Sequence, residues 1–320
     1  MSEIAVAGAG AFGTALAIAL AKDGRRVSLL GRDTQKMTTM QRDQENQDYL
    51  PGIAFPKTLS VAASPEVLGV ADIVLLSVPT QSLRGFLVDH RDFLADTTCV
   101  LCCKGIEKET GLLPSQIVAQ ELPNSQVAVL TGPGFAVEIA NGLPTALTLA
   151  TTDSDPELQK KLSTQSLRLY LSGDPVGAQL GGALKNVCAI ACGIAMGAGL
   201  GESARASVLT RGYAEMLRLA VDMGAEPATL SGLSGLGDLA LTCTSPQSRN
   251  FSLGLALGKG GSILQGTTFE GVATARASLI LAERRSIEMP LTQVVAAVLE
   301  RSITISEAVD ALMSRPLKSE

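Results

Sequence analysis

A chain of 320 residues, 46% apolar and 18% charged, is neither disordered nor collagen-like, and it can bury two medium cores without a disulfide or metal staple. Its 31 acidic and 26 basic residues leave a formal charge of −5, which excludes a general affinity for nucleic-acid backbones or anionic membranes but leaves room for a local basic pocket. Ile4 to Ala21 carries no charge, yet Gly8, Gly10 and Gly13 interrupt it and no basic leader precedes it, so it reads as neither an export signal nor a lipid span. Val187 to Gly201 is too short and too rich in Gly and Ala to span a bilayer, and reads as a buried helix with its exit loop. Without an export signal, the six cysteines point to reduced thiols in a cytosolic protein. Cys99 and Cys102 form a C-x-x-C inside an apolar run, where strand residues three apart face opposite ways and cannot jointly hold a metal. No metal site is expected.

In chain order, short apolar runs alternate with amphipathic stretches up to about residue 172. Strands are expected at 4–9, 26–31, 72–79, 97–103, 127–131, 145–150 and 168–171, with helices at 13–22, 34–41, 82–89 and 112–121 between them. This is the pattern of an α/β fold, a doubly wound, mostly parallel Rossmann-type sheet whose last strands are free to run differently. Asp174 caps a helix with Pro175 at its first position. The sequence then turns Ala- and Leu-rich, with helices expected at 204–223, 274–284, 292–300 and 306–313 and glycine-rich breaks at 230–237 and 257–261. Residues 1–180 therefore read as the sheet domain and 181–320 as an all-α domain, with a cleft where they meet.

Gly8-Ala-Gly10-Ala-Phe-Gly13 follows the first strand and opens the first helix, the context a dinucleotide fingerprint requires. Gly8 permits the turn, Gly10 leaves room for a pyrophosphate, and Gly13 lets helix and strand pack closely. Unpaired amides at the helix start then meet the phosphates. The second strand ends in Leu30-Gly31-Arg32: Gly31 removes the carboxylate that would repel a 2′-phosphate, and Arg32 offers a guanidinium to pair with it, so NADP is admitted alongside NAD. Asp33 beside it leans the other way, toward the ribose hydroxyl. Later strand ends carry Ser77-Val78-Pro79, Cys103-Lys104-Gly105 and Thr131-Gly132-Pro133-Gly134; a lysine closing an apolar strand points into the crevice or into water.

Lys185 stands in an otherwise apolar, small-residue helix. Burying an ammonium costs several kcal/mol unless a partner compensates, so it either reaches solvent or faces a working cleft, with Asn186 as an anchor. Asp238, after a glycine turn, reads as a helix cap or as part of the site. Ser248-Arg249-Asn250 offers a hydroxyl, a forked cation and an amide, a mixture suited to a phosphate monoester and equally to a helix start. The single histidine, His90, lies in a polar stretch and reads as a surface residue.

With G-A-G-A-F-G at 8–13, C-K-G-I-E at 103–107, G-P-G-F-A-V-E at 132–138, G-A-L-K-N at 182–186, G-L-G-D-L at 235–239 and Q-S-R-N at 247–250, the chain resembles the bacterial type of NAD(P)-dependent glycerol-3-phosphate dehydrogenase over nearly its whole length. The resemblance implies a dinucleotide-binding domain followed by a helical substrate domain, with NADP or NAD as cofactor. It makes Lys185 the proton donor and acceptor and Lys104 a contact to both cofactor and substrate. It has Asp238 hold the substrate end near Lys185, has Gly132 and Gly134 line the substrate, and gives Ser248, Arg249 and Asn250 to substrate binding, with Arg249 also reaching the dinucleotide. Gly8, Gly10, Ala11, Phe12, Gly13, Arg32, Ala136 and Glu270 fall on cofactor contacts. Ala11 and Gly134 stand where the family carries hydroxyls, so only backbone can serve there, and Thr268 occupies an apolar position.

The reaction so implied is hydride transfer from NAD(P)H to dihydroxyacetone phosphate, giving sn-glycerol 3-phosphate for glycerophospholipid synthesis, by a cytoplasmic homodimer. Lysine's ordinary pKa of ~10.4 would have to be lowered, by burial and by the charge of Lys104, for its proton to move at neutral pH. Two other readings are a β-hydroxyacid dehydrogenase, which needs a carboxylate site and spaces its lysine from its asparagine, and a non-catalytic dinucleotide sensor, which needs no lysine in an apolar helix.

Overall fold

The computed structural model describes residues 3–262 and 269–314. They form two compact units. The first holds residues up to Lys104 together with Leu113–Gln179, and the second holds Gly105–Leu112 and the chain from Leu180 onward.

The first unit is built on an eight-stranded sheet: β1 (Ile4–Ala7), β2 (Val27–Leu30), β3 (Leu59–Ala62), β4 (Ile73–Leu76), β5 (Thr98–Leu101), β6 (Gln126–Thr131), β7 (Thr145–Ala150) and β8 (Leu167–Ser172), in the order β3-β2-β1-β4-β5-β6-β7-β8. The first six are parallel, with Ile4 opposite both Val27 and Ile73. β1 and β4 are buried along their whole length, as strands covered on both faces must be, which is why they read as unbroken apolar runs. The strand order reverses between β1 and β4, the switch point at which such sheets bind ligands.

β7 pairs antiparallel with β6 and parallel with β8. Between β6 and β7 the chain makes one short helix that ends on Gly142 at φ 80°, and it re-enters the sheet from the end where β6 leaves. Around the sheet run α1 (Ala11–Lys22), α2 (Thr34–Asp43), α3 (Glu66–Gly69), α4 (Thr80–Asp89), α5 (Arg91–Leu94), α6 (Pro114–Glu121), α7 (Ala136–Asn141) and α8 (Pro156–Leu162). Leu16, Ile18 and Leu20 of α1 share one apolar core with Val27, Leu29, Ile73, Leu75 and Leu147.

The expected strands are present with ends trimmed, because the flanking residues leave the ladder. β3 was not expected at all: it is a four-residue edge strand, Leu-Ser-Val-Ala, with no apolar run to mark it. His90 is half-buried, not a plain surface residue, with its ring edge-on to Phe86 at 4.5 Å between centroids. Cys99 and Cys102 are buried, and burial pushes the Cys99 thiol up to about 11, which keeps it protonated and inert.

α9 (Pro175–Gly197) leads into the second unit. It is longer than its apolar run suggested, and it begins where expected: Asp174 Oδ1 accepts from the Gly177 amide at 2.7 Å. Length and composition would let it cross a membrane, but 89% of its most apolar window is buried inside the molecule. The remaining helices are α10 (Glu202–Asp222), α11 (Pro227–Ser231), α12 (Asp238–Thr244), α13 (Arg249–Gly258), α14 (Glu270–Arg284), α15 (Pro290–Leu299) and α16 (Ile305–Met313), with a π-helical turn at Leu233–Gly237 before α12.

α9 and α13 touch backbone to backbone. A Cβ on Gly193 would lie 2.1 Å from the Phe251 carbonyl oxygen, and one on Gly254 would lie 2.1 Å from that of Ile190. The buried Glu215 of α10 holds the start of α15, accepting from the Leu291 and Thr292 amides and the Thr292 hydroxyl at 2.6, 3.1 and 2.9 Å. Burial raises its pKa against the pull of those bonds.

Candidate active site

The turn from β1 into α1 has the shape its glycines predict. Gly8 sits at φ 114°, where a side chain is strained, and a Cβ there would come within 2.6 Å of the Ser77 carbonyl at the end of β4. A Cβ on Gly13 would collide with the Gly8 carbonyl at 2.1 Å, so helix and turn approach as closely as backbone allows. Gly10 differs: a Cβ there meets nothing within 4 Å, so the position is kept bare although the protein has room to fill it.

Gly10 is also the N-cap of the twelve-residue α1, and no side chain caps that helix start. An uncapped helix N-terminus behind a bare residue fits the pyrophosphate of NAD(P). Ala11 and Phe12 open the helix, half-buried. Beyond β2, a Cβ on Gly31 would meet the Met37 sulfur at 2.4 Å, so the end of the Met37 side chain fills the space that a side chain at 31 would take. Arg32 is exposed. Asp33 is exposed, and its Oδ1 caps α2, accepting from the Gln35 and Lys36 amides at 3.0 and 3.1 Å.

At the far ends of β5 and β6 the structure gathers three residues that the sequence singled out separately. Lys104 donates from Nζ to the Gly132 carbonyl at 3.2 Å and lies over the Phe12 ring, 5.6 Å from its centroid. The bond and the ring face hold the ammonium in place. Gly132, at φ 141°, backs directly onto Leu147. Gly134 is tight in another way: a Cβ would sit 3.0 Å from Ile139 and 3.1 Å from Thr145, space those side chains fill in the absence of a hydroxyl. Ala136 is the first residue of α7 and packs against the sheet core.

In the second unit, Lys185 is 7% exposed and Asp238 1%. Nζ donates to Asp238 Oδ1 at 2.6 Å and to Thr242 Oγ1 at 2.8 Å, and the Thr242 hydroxyl lies 3.3 Å from the same carboxylate oxygen. Asp238 is thus the counter-ion of Lys185, not the cap of α12, whose N-cap is Gly237. Thr242 had been given no role; its signal was the i,i+4 spacing from Asp238, which stacks both side chains on one face of a helix.

Ser248 is buried as the N-cap of α13, its Oγ accepting from Phe251 N at 3.2 Å, while Arg249 is exposed at the first helical position. Asn250 donates from Nδ2 to Asn186 Oδ1 at 3.0 Å and accepts from the Gly271 amide at 3.3 Å. That pair of bonds ties α13 to α9, beside Lys185, and to α14, whose first residue is the half-buried Glu270. Thr268 lies outside the described residues. Among the described residues no group of three or more His, Cys, Asp or Glu is placed to hold a metal.

Two family models account for almost all of the chain: the NAD-dependent glycerol-3-phosphate dehydrogenase N-terminus matches residues 3–156 and its C-terminus matches residues 174–310. The protein named glycerol-3-phosphate dehydrogenase (NAD(P)+) in a Ruegeria species is 51% identical over 99% of this chain and 100% of its own length. That of Agrobacterium fabrum is 46% identical, over 99% of both. The crystal structure of glycerol-3-phosphate dehydrogenase from Coxiella burnetii superposes with a TM-score of 0.94 at 38% identity, covering 98% of this chain and 99% of that one. The chain belongs to the NAD-dependent glycerol-3-phosphate dehydrogenase family.

Proposed function

We propose that Lys185 gives and takes the proton in this chain's reaction, and that Asp238 and Thr242 set its position. The reaction is the reversible reduction of dihydroxyacetone phosphate to sn-glycerol 3-phosphate with NADPH or NADH. The observation that carries the reading is an ammonium buried in an apolar helix and held by one carboxylate and one hydroxyl. A lysine so placed costs folding energy, and the compensation comes from groups that also orient it.

NAD(P)H, when bound, supplies the hydride. As negative charge grows on the carbonyl oxygen, Lys185 stabilises it and yields a proton to it. Asp238 holds the ammonium in place, and Thr242 fixes its direction. Lys104, steadied by Gly132 and Phe12, contacts both cofactor and substrate. Gly132 and Gly134 line the substrate with backbone alone. Ser248, Arg249 and Asn250 bind the substrate, and Arg249, which also reaches the dinucleotide, orients the carbonyl through the remote phosphate.

Gly8, Gly10, Ala11, Phe12 and Gly13 hold the pyrophosphate end of the cofactor, with Arg32, Ala136 and Glu270 as further contacts. Residues 1–180 act as the dinucleotide-binding domain and 181–320 as the substrate domain of a cytoplasmic homodimer. The test is a spectrophotometric panel in which purified protein with NADPH or NADH meets dihydroxyacetone phosphate, a keto acid, or neither. Oxidation of the reduced cofactor that depends on the phosphorylated ketone is the expected outcome. Turnover with the keto acid alone would favour a β-hydroxyacid dehydrogenase, and binding without turnover a dinucleotide sensor.

A further inference from the structure

The connection from α2 to β3 places a fully buried asparagine beside the β1–α1 turn. Asn46 is 0% exposed. Its backbone carbonyl accepts from the Tyr49 and Leu50 amides at 3.3 and 2.8 Å, and Leu50 is part of the sheet core, so the residue sits on a fixed mount. The side chain reaches 37 residues back along the chain. Nδ2 donates to the Ala9 carbonyl at 3.1 Å and to Thr14 Oγ1, on the first turns of α1, at 2.8 Å.

Oδ1 meets no donor among the described residues. The amide cannot turn over to relieve this, because the Ala9 carbonyl accepts and never donates. A buried acceptor without a donor costs stability, so an asparagine here is poorly explained by stability alone. What it does secure is the direction of one peptide. In a trans peptide the carbonyl and the following N–H point to opposite sides. Tying the Ala9 oxygen inward to Asn46 turns the Gly10 N–H outward, at the one glycine of the turn whose Cβ position is empty.

We propose that Asn46 is a positioning residue for the cofactor: it locks the Ala9–Gly10 peptide so that the pyrophosphate meets an N–H and not a carbonyl oxygen. The proposal rests on the cofactor reading given above. If the turn instead presented the carbonyl, repulsion would oppose the phosphate charge at the point of closest backbone approach.

The test is NADPH binding followed by nucleotide fluorescence, beside thermal unfolding and steady-state kinetics. Asn46→Ala should raise the NADPH Kd at least tenfold, while KM for dihydroxyacetone phosphate at saturating NADPH shifts less than threefold. Thr14→Val removes the other acceptor but spares the bond to Ala9, so it should leave Kd within threefold even where it lowers Tm. An Asn46→Ala protein that folds and binds NADPH within threefold of the parent would overturn the proposal.

Should Asn46→Ala not fold, Asn46→Asp keeps the volume and loses the donors only while ionised. Its Kd relative to the parent should then recover as pH falls and the carboxyl regains a proton to give to Ala9; no recovery would equally overturn the proposal. A parent protein that binds neither NADPH nor NADH would instead sink the cofactor reading itself.

Discussion

Replacing Gly254 with alanine tests how the helix that carries Ser248, Arg249 and Asn250 is held. The new Cβ would lie 2.1 Å from the Ile190 carbonyl oxygen and 2.9 Å from Ile194 N, both on the backbone of α9. Ordinary contact begins near 3.4 Å, so the two helices must part by about 1.3 Å along that line. No side chain can give way instead, because the clash is backbone on a buried core helix. Alanine returns up to ~1 kcal/mol in helix propensity, against an overpacking cost of roughly 3 kcal/mol or more at such a contact.

A net loss of about 2 kcal/mol corresponds to a Tm drop of about 4–8 °C for a unit of this size. The functional cost is larger than the structural one, since a 1 Å misplacement of a binding group can cost up to ~100-fold. Scanning calorimetry reads the first effect, and kcat/KM for dihydroxyacetone phosphate reads the second, with a fall of ~10-fold or more expected. Gly85→Ala is the control: it lies in α4, its Cβ meets nothing within 4 Å, and it should be neutral or slightly stabilising. If Gly254→Ala behaves like Gly85→Ala in both assays, the crossing does not hold α13 as described.

Gly10→Ala makes the opposite prediction, because its Cβ has space and its φ of −79° suits any residue: Tm should stay within about 2 °C while NADPH affinity falls at least tenfold, and unchanged binding in a titration would remove Gly10 from the cofactor site. Arg32→Ala should weaken NADPH more than NADH, since Gly31 brings no carboxylate to the end of β2 and the exposed Arg32 guanidinium beside it is free to pair with a 2′-phosphate; equal losses in parallel titrations would contradict that contact. Burial holds the Glu215 carboxyl above its ordinary 4.5, so the folded protein binds that proton more tightly than the unfolded chain. The group therefore favours folding most below pH 4.5 and loses that contribution as pH rises through its raised folded value. In Tm measured against pH, the parent's advantage over Glu215→Gln should shrink from acid to neutral, and a growing advantage would refute the assignment.

What the sequence made legible follows from range. The buried strands β1 and β4, the glycines between β1 and α1, and the Asp174-Pro175 helix start are local patterns whose causes lie within a few residues, and each was read correctly in kind. β3 was missed because an edge strand of four mixed residues has no periodicity to show. The antiparallel turn into β7 depends on how a short helix ends, not on the strand's own composition.

At the site, sequence marked Lys185 as anomalous but could not say what balances it, because Asp238 lies 53 residues away and Thr242 lies 57. Ser248, marked as a possible phosphate ligand, caps its own helix, and Asn250, marked likewise, bridges three helices. Asn46 carried no signal at all: an asparagine in a polar stretch becomes informative only once it is found buried under a turn 37 residues upstream. Polar residues whose work is long-range are the ones a linear reading loses.

The central claim is that the buried amine of Lys185 handles the proton and does not bind the cofactor. Lys185→Ala should be compared with the parent in two assays on the same sample: steady-state oxidation of NADPH by saturating dihydroxyacetone phosphate, and NADPH affinity by fluorescence titration. Turnover lowered by ~1000-fold or more, with Kd changed less than threefold, is the predicted outcome, the size expected for removing a proton donor that also stabilises the developing charge. Turnover within tenfold of the parent, or cofactor binding lost along with it, would contradict the account.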